Sequence, residues 1–395
     1  MANQLSPTKV QQFINNIQAI NELANKEPNM DVLNAYKGFG GLKRCFWDKT
    51  LYGQLMRGIR ANFGREKEHE VLESLRNSCS SAYYTPKEVI NFIYKYIGKV
   101  CNFTGGDILE PSCGNGAFFK YMPENIKANS NITAVEYDSL TAKLVSKMYP
   151  HVNVINDGLQ NIDFENKKYD LIIGNPPYSS EKINDDFMLD ISGYSIHHYF
   201  IAKCIRLLKD DGILAFVMPS FFMDIPHGHT RHIIDNEAVL IDAVRLPDNL
   251  FANATVTVDL VFIRKTGNKL HNIVDTAKLQ QGNATDSINQ FWIDNPNRIL
   301  GELKLKYVEC YKRYVPTCQT ASKEQALKFL EVCSFTEETI QNFKAITTNG
   351  SNEEQQKSDD KYQLLLEMEQ IRIELMNLTN KFADLHNKAY DVLAA

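Results

Sequence analysis

Two consecutive prolines, Pro176 and Pro177, follow an apolar run, Tyr169-Asp170-Leu171-Ile172-Ile173-Gly174, with only Asn175 between. The run reads as a buried strand. No central strand continues through paired prolines, because each fixes φ and removes a backbone donor. The chain must leave its sheet there in a rigid turn whose prolines offer carbonyl oxygens only. Asn175 adds a side-chain carbonyl and Tyr178 an aromatic face. Such a turn accepts hydrogen bonds from a planar NH₂ group and stacks on the ring that carries it, as the exocyclic amine of a nucleobase would require. An ordinary strand-end turn is the competing reading of these four residues alone.

Three earlier segments narrow the choice. Asp107-Ile108-Leu109-Glu110 runs into Pro111-Ser112-Cys113-Gly114-Asn115-Gly116 and then Ala117-Phe118-Phe119, which reads as strand, glycine-rich turn and helix. Gly114 and Gly116 let a ligand approach the backbone closely, although the third glycine of a full dinucleotide fingerprint is replaced by Phe119. A second strand, Ile132 to Val135, ends in Glu136, twenty residues after Gly116. That separation suits a carboxylate on a ribose hydroxyl pair. A third, Val152 to Ile155, leads to Asp157, a candidate acceptor for an adenine amine. Later strands are expected at Ile213–Met218, Leu240–Arg245 and Val256–Arg264. The last two are too close for a crossover helix, so a hairpin and one antiparallel strand are expected. Strands alternating with helices predict an α/β fold, a doubly wound, mostly parallel seven-stranded sheet with helical extensions at both ends, and ligands at its strand ends.

These parts, in this order, resemble the gamma-type N6-adenine DNA methyltransferases, which use S-adenosylmethionine. Tyr83-Tyr84-Thr85-Pro86 resembles the family's cofactor motif. The resemblance implies a methyltransferase-type Rossmann-like sheet. By position it implies that Thr85 and Glu110 hold the methionine end of the cofactor, with Gly114 and Gly116 beside it, and that Tyr84 and Ser112 also bind the cofactor. Glu136 would hold its ribose and Asp157 its adenine. It further implies that Asn175, Pro176, Pro177 and Tyr178 bind the amine of a flipped-out target adenine, with Phe251 on the opposite face of the base and no metal. For Phe251, a core aromatic at a strand end is the other reading. Gly38-Phe39-Gly40-Gly41-Leu42, Asn289 to Pro296 and Leu385 to Asp391 resemble segments of plasmid and phage methylase–helicase proteins. The 395 residues contain no helicase segment, so translocation is not expected of them. An RNA adenine or protein glutamine methyltransferase, or a non-catalytic subunit on the same fold, stays open.

A net charge of −5 does not advertise DNA as a partner. Between Lys37 and Arg65, however, seven basic residues face the single acid Asp48, with aromatics interleaved. Lys43, Arg44, Arg57 and Arg60 are the candidate phosphate contacts; a solvated helix face is the alternative. The eight cysteines form no C-x-x-C pair, and no signal peptide or long apolar run appears, so reduced thiols and a cytoplasmic protein without a membrane partner are expected. Cys113 reads as a small filler. His197 and His198, adjacent in a predicted helix, are expected to diverge.

The expected organisation is a helical segment at 1–80, the methyltransferase domain at 81–265, a small region at 266–346 available for target recognition, a polar linker at 347–360 and a helix at 361–395. In that helix Leu364, Met368, Ile371, Leu375, Leu378, Phe382, Leu385, Ala389 and Val392 alternate in steps of four and three. This is coiled-coil spacing. Pairing with a second copy, docking to a partner subunit and folding back on its own domain are all open.

Overall fold

Every apolar run singled out above becomes a strand of one sheet. The computed structural model describes residues 5–79, 84–226, 231, 234, 237–251, 257–265, 273, 275–309 and 312–333. The sheet contains β1 (Gly106–Glu110), β2 (Ser130–Val135), β3 (Val152–Ile155), β4 (Tyr169–Gly174), β5 (Leu208–Pro219), β6 (Ala238–Leu246) and β7 (Val258–Lys265). Their spatial order is β3-β2-β1-β4-β5-β7-β6. β1 pairs in parallel with β2 and β4, β2 with β3, and β4 with β5. β7 runs antiparallel to both β5 and β6, which gives the expected hairpin with β7 as the reversed strand. Leu171, Ile172 and Ile173 of β4, like Leu260 and Val261 of β7, are fully buried. Strands covered on both faces read as unbroken apolar runs, which is why alternation is absent from them.

The order places the reversal of winding between β1 and β4. From β1 the chain winds outward through β2 to β3, then returns to β4 on the other side. The glycine-rich turn after β1 and the Asn175 turn after β4 therefore open side by side, at the point where such sheets bind ligands.

Seven helices of at least ten residues accompany the sheet among the described residues: α1 (Pro7–Leu23), α2 (Lys49–Phe63), α3 (Glu68–Cys79), α4 (Lys87–Lys99), α5 (Ser139–Met148), α6 (Ile196–Leu207) and α7 (Lys323–Val332). α1 starts with Pro7 at its first position and Ser6 as its cap, accepting from the Lys9 amide at 3.4 Å. α2 turns Leu55, Met56 and Ile59 inward and leaves Arg57 and Arg60 outside.

The region after β7 is more regular than its composition suggests. Two hairpins, β8 (Thr276–Gln281) with β9 (Ala284–Asn289) and β10 (Glu302–Val308) with β11 (Arg313–Gln319), precede α7. Between these hairpins lies the Asn289–Pro296 segment. Asn289 caps the short helix Gln290–Asp294, and Trp292 packs its ring 4.5 Å from the buried Arg245 guanidinium. Arg245 is clamped between Asp259 and Asp224, each at 2.8 Å. The expected linker at 347–360 and the heptad helix at 361–395 lie outside the described residues, as do Tyr83 and residues 252–256. Among the described residues no helix is long and apolar enough to cross a membrane.

Candidate active site

A cavity of about 570 Å³ opens over the ends of β1, β2, β3 and β4. Tyr84, Thr85, Glu110, Ser112 and Gly114 line it from one side, Glu136 and Asp157 from another, and Asn175 and Pro177 from the β4 turn. Residues from segments far apart in the sequence are thus brought to one space. Gly116, Pro176, Tyr178 and Phe251 do not line it, and the four basic candidates lie elsewhere.

The glycine-rich turn is built by backbone geometry. Gly114 has φ +50° and Gly116 φ +73°. A Cβ on Gly114 would stand 3.0 Å from the Tyr84 ring, and one on Gly116 2.6 Å from the ring of Tyr149. Glycine is required at both positions for conformation and for space. The Cys113 amide is held by the Val135 carbonyl at 2.9 Å, so the turn is stitched to the end of β2. Cys113 itself is buried, and burial pushes its thiol well above the usual range, as befits a filler.

Three acids crowd this wall. Glu136 accepts from the Gly114 amide at 2.7 Å and from the Asp138 amide at 2.9 Å. Burial, with the nearby Asp138 charge, pushes it up to about 7. Asp138 is buried too, and burial raises it to about 6 against hydrogen bonds from Thr141 and the start of α5. Glu110 is 1% exposed, and burial, then the Glu136 charge, holds it well above the carboxylate range. Among the described residues its Oε2 has no hydrogen-bond partner, and neither have the buried Thr85 Oγ1 and Asn115 Oδ1. Unsatisfied buried polar atoms are costly. Three of them facing one cavity fit a polar ligand that completes them. Asp157 stands exposed at the rim, its Oδ1 accepting from the Gly158 amide and Asn161, each at 2.7 Å.

On the β4 side, Ser112 donates to the Asn175 backbone carbonyl at 3.3 Å, joining the two turns. Pro176 is buried and Pro177 reaches the cavity. The Tyr178 hydroxyl lies 2.6 Å from both Asn175 Oδ1 and the Val217 carbonyl. A hydroxyl carries one proton for these two contacts, so it ties the asparagine to β5 and holds the amide in place. Phe251 is buried, 6% exposed, after the short helix Asp248–Leu250.

Lys43 and Arg44 begin a short 3₁₀ turn, and Arg57 and Arg60 sit on the outer face of α2. Arg44 pairs with Asp48 at 3.7 Å, and Arg60 with Glu68. His197 and His198 do not diverge as expected. Both rings turn toward Ser195, 3.4 and 3.3 Å from its hydroxyl, with centroids 4.3 Å apart. The helix begins at Ile196, so both rings lie in its first turn, beside the preceding residue, and His197 Nδ1 is also 3.1 Å from the Ser179 carbonyl. No group of three or more metal-ligating side chains occurs among the described residues.

Sequence reasoning passed over several lining residues. Phe39, Arg76 and Asn77 reach the cavity from the N-terminal segment, and Asp138 and Thr141 from the start of α5. Asp138, two residues past Glu136, carries the same strand-end signal as that acid. The N-terminal contribution had no local signal beyond the unexplained Gly38 to Leu42 segment.

A sheet wound in this order, with a glycine turn after β1, an acid after β2 and Asn-Pro-Pro-Tyr after β4, defines the methyltransferase class. The chain belongs to the N-6 DNA methylase family, whose model matches residues 71–360. It is 34% identical over 157 residues to the modification methylase CviBIII of Paramecium bursaria Chlorella virus NC1A, covering 38% of this chain and 41% of that protein. It is 30% identical over 201 residues to the type II methyltransferase M.CvrRI of Paramecium bursaria Chlorella virus XZ-6E, covering 50% and 52%. The chain spans about half the length of these curated relatives. Among solved structures, the type I restriction enzyme EcoKI M protein aligns over 86% of this chain and 89% of its own, at 15% identity and a TM-score of 0.39.

Proposed function

We propose that the protein transfers a methyl group from S-adenosylmethionine to the N6 amine of an adenine in DNA. The observation that carries this reading is the cavity itself, where orphaned buried acceptors meet the Asn175 turn. S-adenosylmethionine, when bound, supplies an electrophilic methyl group on a positively charged sulfur. Glu110 and Thr85 suit the methionine end, where an ammonium group would satisfy Glu110 Oε2. The two Glu136 oxygens, each already accepting one backbone hydrogen bond, keep lone pairs for ribose hydroxyls. Asp157 at the rim suits the adenine amine.

Asn175 Oδ1 and the Pro176 carbonyl would accept the two N–H bonds of the target amine. That draws the nitrogen lone pair out of the ring and aims it across the cavity. There an N–C bond would form as the sulfonium's bond to the methyl breaks, the neutral thioether leaving and the surplus N6 proton passing to water. Catalysis by this site rests on position and on carbonyls placed where positive charge develops, not on a general base. The target base must leave the duplex to reach the turn. Tyr178 offers one ring face. Phe251 would have to turn out of the core to offer the other. The basic faces of the 3₁₀ turn and α2 would contact phosphate, and the region after β7 would read sequence. The name of one relative, a type I restriction enzyme methylase subunit of Methanocaldococcus jannaschii, supports a partner subunit as a source of specificity, with the heptad-patterned sequence at 361–395 as its docking element.

The test is mass spectrometry of nucleosides from DNA and RNA, with peptide analysis of protein, after incubation with isotope-labelled S-adenosylmethionine. Labelled N6-methyladenine in DNA is expected. Label confined to RNA or to glutamine would refute the assigned substrate.

A further inference from the structure

The Gly38 to Leu42 segment and the residues before it are not accounted for by cofactor or target binding, yet one of them, Phe39, reaches the cavity. Phe39 lines it and is only 2% exposed. Gly38 adopts φ +68°, and a Cβ there would fall 1.7 Å from the Tyr84 hydroxyl. Tyr84 therefore occupies the space a side chain at Gly38 would need, while its ring edge fills the space beside Gly114. Two glycines from remote segments grip one tyrosine, which docks the N-terminal segment onto the cofactor turn.

The segment is held firmly from behind. The Gly38 carbonyl accepts from Asn16 Nδ2 and from Gln12 Nε2, both at 2.7 Å. Asn16, wholly buried, also accepts from the Lys37 amide at 2.8 Å. Cys79 donates its thiol to the Phe39 carbonyl at 2.9 Å.

Its forward contact leads to the ribose-side acid. The Tyr36 hydroxyl lies 2.7 Å from Thr141 Oγ1, which in turn donates to Asp138 Oδ2 at 2.6 Å. The threonine has one proton and gives it to the carboxylate, so Tyr36 must be the donor to Thr141. The Asp138 amide then donates to Glu136 Oε1 at 2.9 Å. The chain of donors has one direction, from Tyr36 through Thr141 and Asp138 to Glu136. Every side chain in it is buried.

We infer that Tyr36 is a positioning residue for the cofactor. Through Thr141 and Asp138 it sets the Glu136 carboxylate from behind, while Phe39 of the same segment lines the cavity. This rests on the reading that the cavity binds S-adenosylmethionine. A residue that only fills the core would act through its ring. A positioning residue acts through its hydroxyl, and the two roles separate experimentally.

The experiment is calorimetric titration of the full chain with S-adenosylmethionine, alongside steady-state kinetics on DNA. Tyr36→Phe keeps the ring and removes the oxygen; Thr141→Val breaks the same chain one step on. Each should weaken cofactor binding about tenfold, raise KM for the cofactor and leave KM for DNA unchanged. The double variant should be no weaker than either single one, because both cut one path. Thr141→Ser, which keeps the hydroxyl, should bind as the wild type does. Wild-type affinity in Tyr36→Phe, or additive losses in the double variant, overturns the inference while leaving the cofactor reading intact. A wild-type chain that does not bind S-adenosylmethionine overturns both.

Discussion

Two sets of buried charge in this molecule are handled in opposite ways. At the far edge of the sheet and behind the β4 turn, buried charges are paired. Arg245 sits between Asp224 and Asp259, and Lys203 lies 2.7 Å from Asp185 and also donates to the Leu159 carbonyl. Burial alone would raise Asp185, but Lys203 and Tyr199 donate to it, and its carboxyl falls below the ordinary range. At the cavity, Glu110, Glu136 and Asp138 have no ion-pair partner among the described residues, and burial raises all three; it raises Asp224 and Asp259 as well, although there the Arg245 charge works against it. Paired charges hold loops in place: Asp185 accepts from the amides of Phe187 and Met188 and so shapes the loop that follows Tyr178. Once ionised, unpaired acids in a polar cavity are a cost that a hydrogen-bonding ligand can offset.

That contrast can be broken from either side. The largest effect is expected where a pair is split. Lys203→Met leaves Asp185 buried and unpaired, and should destabilise the protein by about 3–5 kcal/mol in denaturant titration. A loss below about 1 kcal/mol, the range of an exposed pair, would mean the pair is not structural.

Next comes the target side of the cavity. Asn175→Ala removes an acceptor aimed at developing charge and should lower turnover about 10²–10³-fold. Cofactor affinity, by calorimetry, should stay close to wild type, because the acids on the other wall are untouched. Turnover near wild type would remove the turn from the chemistry.

A smaller effect is expected on the cofactor side. Glu110→Gln keeps size and shape but gives up the charge. It should weaken S-adenosylmethionine binding by about 1.5–3 kcal/mol, the range for hydrogen bonds to charged groups. Without cofactor the same variant should be at least as stable as wild type, since it removes an unpaired buried acid. A variant that loses stability and keeps affinity would move Glu110 into the class of Asp185.

Much of the cavity side of this contrast is legible in the sequence, for a physical reason. Strand ends carrying Gly114, Glu136, Asp157 and Asn175 are positions where an apolar run stops at a residue with no packing purpose, so each stands out locally. The β6–β7 hairpin follows from connection length alone. What the sequence hides depends on pairing across distance. Arg245 in β6 and Asp259 in β7 look like ordinary strand charges until the hairpin brings them to 2.8 Å. Gly38 is one glycine among several until the ring of Tyr84 is found in its place. The hairpins between Thr276 and Gln319 are obscured because their strands carry no buried apolar run: Thr276–Gln281 has no fully buried residue, and Glu302–Val308 alternates only half-buried Leu303 and Leu305 with exposed charges. Phe251 shows the limit at a single residue: an aromatic after a strand fits core and base stacking equally well, and it lies in the core.

The smallest effect is also the most direct test, because it reads the charge state of the cavity acids. The Glu136 carboxyl rises from 4.5 to about 7 on folding. The unfolded chain therefore ionises first, and the cofactor-free protein should lose stability as pH rises from about 4.5 to about 7, then level off. A cofactor that donates hydrogen bonds to the ionised acids should reverse that cost. Its affinity should rise roughly tenfold between pH 5.5 and 7.5. Binding at pH 6.5, where the cofactor's own amine is already protonated, should release protons. Calorimetric titration with S-adenosylmethionine at pH 6.5 in two buffers of different ionisation enthalpy measures that release. A net release of protons that shrinks in Glu136→Gln is the predicted result. Binding with no proton exchange, and with equal affinity in both proteins, would contradict the claim that these unpaired acids are the cofactor's ligands.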